Sequence, residues 1–119
     1  MDKNQLSLEA LKLQLREFAA DRNWDQFHSP KNLASALSVE AAELLEPFQW
    51  LTDEQSRSLP PENREAVRKE IADVLIYLIR LADKLDIDML QAARDKIGEN
   101  AEKYPVEKAR GSIKKYSDL

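Results

Sequence analysis

Apolar residues recur along most of this chain at spacings of three and four, and no run shows the strict alternation of a half-buried strand. Leu8, Leu11, Leu15 and Phe18 predict a first helix ending at Asp21, with Ser7 available as its cap. RNWDQFHS follows as an aromatic-rich connection. Ser29 before Pro30 opens a second helix, because proline is tolerated at the first helical position, and Pro47 ends it by its missing N–H. The polar, proline-terminated LTDEQSRSLPP reads as a loop with at most a short helical turn. ENREAVRKEIADVLIYLIRLADKL is the longest, third helix candidate, and Asp88 with Gln91 resembles a capping box opening a fourth that stops before Tyr104 and Pro105. PVEKARGSIKKYSDL has little periodicity and is either mobile or pinned to another surface. The expected fold is all-α and four-helix-bundle-like, one domain over residues 1–119 with a tail over residues 105–119.

Placing side chains around each helix at about 100° per residue separates the acidic positions from one another. In EAAELLEPFQW, Glu40 borders the stripe of Leu33, Leu37 and Leu44, Glu43 flanks it, and Glu46 turns toward solvent. The third helix repeats the arrangement: Glu70 lies beside Val67, Val74 and Leu81, with Asp73 and Tyr77 flanking it. Glu62 with Glu65 and Glu99 with Glu102 share the spacing and read as solvated faces. Leu75, Ile76 and Ile79 lie on the side opposite Glu70, so the third helix is apolar nearly all round and wants burial on two sides. A second subunit supplies the other side most simply, which predicts a homo-oligomer.

Composition narrows the chemistry. Two carboxylates about 6 Å apart at an effective dielectric near 20 repel by roughly 3 kcal/mol, so a cluster of four needs protons or cations. The chain has no cysteine and a single histidine, which removes thiolate and histidine-cluster metal sites and leaves oxygen ligands. Mg²⁺ is the natural ion for such a set, and it commonly shares its shell with substrate phosphates. Eighteen basic and 22 acidic residues give a net charge of −4, which argues against a nucleic-acid polymer as partner. The N-terminus lacks the apolar run of a signal peptide and no segment approaches a membrane span, so a cytoplasmic location is expected.

FHSPKNL, SVEAAELLEPFQW, EIADVLIYLIRLA, KYP and RGSIKKYSDL together resemble the MazG-like, all-α nucleotide pyrophosphohydrolases, most closely their dCTP pyrophosphatase branch. The resemblance runs from about Asp21 to Leu119, and its hallmark, ExxE followed at a distance by ExxD, is matched by Glu40, Glu43, Glu70 and Asp73. It implies hydrolysis of a nucleoside triphosphate, such as dCTP or a modified dCTP, between the α and β phosphates, with Mg²⁺ on those four carboxylates and Glu43 or Glu70 as the base. It also implies a base pocket walled by Trp24, Phe27, His28 and Trp50, with Asn32 and Tyr77 as polar contacts. Lys96, Asn100 and Lys103, on one face of the fourth helix, match phosphate-handling positions, and Tyr104 adjoins them. Relatives of this branch often have glycine before each glutamate of the first pair, where this chain has Val39 and Ala42, whose bulk would narrow the approach to the metal. The resemblance further implies a homotetramer built as a dimer of dimers. The competing reading is a non-catalytic helical module that binds nucleotide or protein through the same acidic edges and apolar third helix.

Overall fold

The computed structural model describes residues 4–119, and every regular element among them is helical. The elements are α1 (Leu8–Asp21), α2 (Pro30–Leu45), α3 (Asp53–Ser56), α4 (Pro61–Lys84), α5 (Met89–Lys103) and α6 (Val106–Ala109), with single 3₁₀ turns at Asp25–Phe27 and Tyr116–Asp118. They fall into two compact units, the larger ending at Asp86 and the smaller spanning Ile87–Leu119.

Three helices of the larger unit, α1, α2 and α3, start where the sequence supplies acceptors for their free N–H groups. Ser7 Oγ accepts from the Ala10 N–H at 3.0 Å, and Ser29 Oγ from the Asn32 N–H at 3.1 Å. A reciprocal capping box between Thr52 and Gln55 makes residues 53–56 the short helical turn that the loop segment was expected to allow. α4 starts at Pro61, one residue ahead of the apolar pattern, as a proline with its fixed φ permits. α2 stops at Leu45, two residues before Pro47.

In this unit α2 lies along α4, and α1 packs on α4 as well. Leu33 of α2 is 1 % exposed, and it is covered together with Ile79 and Ala82 of α4 and Ala10 and Ala19 of α1. Alanine on two of the three helices lets their backbones approach closely, so a modest number of side chains closes the core. The expected outer face of α4 needs one correction: Ile79 is buried within the unit rather than turned outward, while Leu75 and Ile76 stay partly exposed.

The end of α1 decides where the first tryptophan goes. Asn23 takes a left-handed conformation (φ 55°), the Trp24 N–H bonds the Ala19 carbonyl at 2.9 Å, and the Asn23 N–H bonds the Ala20 carbonyl at 3.1 Å. This is a Schellman ending with asparagine in the place usually held by glycine, and it carries the apolar contact that accompanies such endings. Trp24 meets Phe18 edge-on, ring centroids 5.8 Å apart, and Arg22 stacks over the Phe18 ring at 3.6 Å.

In the smaller unit Asp88 accepts from the Gln91 N–H at 3.0 Å and opens α5. The predicted box is only half formed, because the Gln91 side chain turns forward to Asp95 at 2.8 Å instead of back to the cap. The tail is pinned: Tyr116 packs edge-on against Tyr104, centroids 6.1 Å apart, and the Lys103 ammonium lies 5.1 Å from the Tyr116 ring.

Candidate metal centre and nucleotide site

Glu40 and Glu43, one turn apart on α2, face Glu70 on α4. One carboxylate oxygen of each lies within 4.8 Å of the other two, and all three side chains are half-buried. The close packing of α2 on α4 is what brings the two acidic stretches together. Glu46, three residues further along, is exposed, as its angle predicts, and Glu62, Glu65, Glu99 and Glu102 are exposed too. Asp73 lies outside the closest grouping, yet its charge reaches it.

The electrostatics of Glu40 record the crowding. Burial, a hydrogen bond shared with Glu43 and the negative charges of Glu43, Asp73 and Glu70 push its carboxyl up from 4.5 to about 7. Glu40 Oε2 and Glu70 Oε2 are buried with no hydrogen-bond partner among the described residues. A buried carboxylate oxygen without a donor is costly, and a cation removes that cost from several carboxylates at once. The donor set consists only of oxygens, which suits a hard divalent ion. These residues fit a metal.

The aromatic residues expected around a base occupy the surface of the larger unit. Trp24 and Phe27 are exposed, and Trp50, five residues past α2, is 87 % exposed. Tyr77 is half-buried, one turn beyond Asp73 on the same face of α4. Asn32 has a visible structural task, since its Nδ2 donates to the Phe27 carbonyl at 3.0 Å and ties the connection to the start of α2. Val39 and Ala42 are exposed, so neither fills a buried space beside the glutamates.

Lys96, Asn100, Lys103 and Tyr104 belong to the smaller unit. There the Lys96 and Lys103 ammonium groups stand 3.4 and 3.6 Å from the Glu99 carboxylate, whose pKa they hold below its ordinary value. Asn100 offers its carbonyl to the Tyr104 N–H at 2.9 Å and so closes the last turn of α5.

One charged grouping lies outside the residues that the sequence singles out. Asp25 in the aromatic connection accepts from Arg80 at 2.9 Å and from Lys84 at 2.6 Å, and Arg80 also reaches His28. The visible signal was Arg80 itself, a charge inside the apolar run of α4 with Asp83 one turn later.

Residues 35–119 match the model of the MazG-like family. Over 115 residues the chain is 45% identical to dCTP pyrophosphatase 1 of Mus musculus and 43% identical to that of Homo sapiens, spanning 95% of this chain and 68% of each relative. Among solved structures it is similar to a pyrophosphatase from Archaeoglobus fulgidus DSM 4304, with a TM-score of 0.79 at 40% identity, covering 88% of this chain and 98% of that one. The matched span takes in both acidic stretches, and the relatives align over nearly the whole chain: this protein belongs to the MazG-like family.

Proposed function

We propose that the protein hydrolyses nucleoside triphosphates to the monophosphate and pyrophosphate, with dCTP or a modified dCTP as substrate, and so removes such nucleotides from the cellular pool. The observation that carries the reading is the carboxylate cluster of Glu40, Glu43 and Glu70, with two buried oxygens that lack donors. Relatives named dCTP pyrophosphatase 1 at 43% and 45% identity supply the substrate class.

In this reading Glu40, Glu43, Glu70 and Asp73 hold Mg²⁺. Bound there, the ion neutralises phosphate charge and lowers the pKa of a nearby water. Glu43 or Glu70 takes the proton from the attacking water, and Trp24, Phe27, His28 and Trp50 enclose the base, with Asn32 and Tyr77 beside it. Stacking alone tolerates any base, so choice among bases comes from hydrogen bonds. Lys96, Asn100, Lys103 and Tyr104 handle the phosphates. The chain works in the cytoplasm as a homotetramer, a dimer of dimers whose contacts cover the exposed apolar positions of α4. No described helix is long and apolar enough to cross a membrane.

The test is pyrophosphate release across common and 5-modified deoxynucleoside triphosphates, with Glu40→Gln and Asp73→Asn alongside the native chain. Release from dCTP that is lost in both variants supports the assignment. Full turnover in the variants would place the chemistry elsewhere, and nucleotide binding without any release would favour the non-catalytic module.

A further inference from the structure

Arg80 is 4 % exposed on α4, and a guanidinium buried that deeply must be compensated. Its Nη2 donates to Asp25 Oδ1 at 2.9 Å and meets His28 Nδ1 at 3.1 Å, while Nη1 stands 3.8 Å from Asp83 Oδ2. Lys84 donates to the same Asp25 oxygen, and Arg16 grips Asp83 by two bonds of 2.7 and 2.6 Å. Charges of alternating sign therefore run from α1 across α4 to the aromatic connection.

The contact with His28 has a chemical consequence. Arginine has only donors and stays protonated, so Nδ1 must be the acceptor and the ring proton must sit on Nε2. Burial first, then the Arg80 charge, hold the His28 pKa below its usual value, which keeps the ring neutral at neutral pH. No partner for Nε2 is found among the described residues. Arg80 also follows Asp73 by seven residues, two turns along the same face of α4 and about 10 Å up its axis.

We propose that Arg80 is a positioning residue for nucleotide recognition: by gripping Asp25 and His28 it fixes the segment bearing Trp24 and Phe27, and it holds His28 as a neutral ring whose Nε2–H is a donor aimed at an acceptor edge of the base. Cytosine offers adjacent acceptors at N3 and O2, whereas thymine and uracil present a donor at N3. The inference rests on the reading of a pyrimidine nucleoside triphosphate as substrate.

The chain has a single histidine, so ¹⁵N labelling of histidine gives one set of ring signals. The native protein is expected to show an unprotonated Nδ1 and a protonated Nε2 at neutral pH. Arg80→Met should mix the two tautomers, raise KM for dCTP about tenfold with kcat within about twofold, and shrink the KM gap between dCTP and dTTP. Asp25→Asn keeps the side-chain volume and weakens the other end of the grip, so it should raise KM by a smaller factor, and it carries the test if the Arg80 variant does not fold. A proton on Nδ1 in the native protein, or an unchanged KM in a folded Arg80→Met variant, overturns the proposal. If the native chain turns over no dCTP, the substrate reading fails, while the ring signals still decide the tautomer.

Discussion

At the scale of single residues, Glu40 concentrates the chemistry. Its carboxyl is held near pH 7 against an ordinary value of 4.5, so the folded, metal-free protein binds a proton there that the unfolded chain has released. The sign follows directly: this group's contribution to stability falls as pH rises from 4.5 to about 7, and a cation that displaces the proton reverses the loss. Thermal melts should therefore show Mg²⁺ raising Tm by more at about pH 8 than at about pH 6, with proton release on binding close to one per ion at about pH 6 and falling as the pH rises through about 7. Equal stabilisation at both values would place the ion away from Glu40. Helical angles alone separated Glu40 and Glu43 from Glu46, because the apolar stripe fixes which side of α2 faces inward. They could not rank Asp73 below Glu70 in closeness to the cluster, since that depends on how α2 and α4 cross.

Among elements, α4 is the organiser, receiving α1 and α2 on its length and the connection between them through Arg80 and Lys84. Leu33 is the large side chain of α2 most deeply set against this helix pair, and Leu33→Ala should cost about 2–5 kcal/mol of unfolding free energy in denaturant titrations. Asn23→Ala should cost about 1–2 kcal/mol, because alanine pays for the left-handed conformation that asparagine tolerates, and Asn23→Gly should not. The four long helices were legible from periodicity and from Ser7, Ser29 and Asp88, since each cap is a local signal. Less legible was how they end. Asn23 and Asp86 both adopt positive φ after a helix, and in a chain with two glycines nothing in the local sequence marked those two among its other polar residues. The tail was less legible for another reason: Tyr116 within it packs on Tyr104 at the end of α5, a contact that no helical or strand period signals.

At the scale of the molecule, the apolar surface of α4 is only partly covered. Ile71, Leu75 and Leu78 follow one another at four and three residues, so they form one stripe, and all three remain exposed. A row of large apolar side chains on the central helix is what self-association would bury, and Leu75→Glu should shift the protein to smaller species in light scattering at micromolar concentration with its helical content intact. An unchanged mass would put the contact elsewhere. Periodicity showed that this helix had two sides to bury, but it could not tell that Ile79 is covered from within the chain. In the proposed function, Glu40, Glu43, Glu70 and Asp73 hold the cation on which triphosphate cleavage depends. Pyrophosphate release from dCTP, followed as Mg²⁺ is added to chelator-treated protein, tests it most directly. No release is expected without the ion, with release that saturates as the ion is added and a loss of at least about a hundredfold in Glu70→Gln; release that proceeds in the presence of chelator, or that survives Glu70→Gln undiminished, would mean that these carboxylates do not hold a catalytic ion.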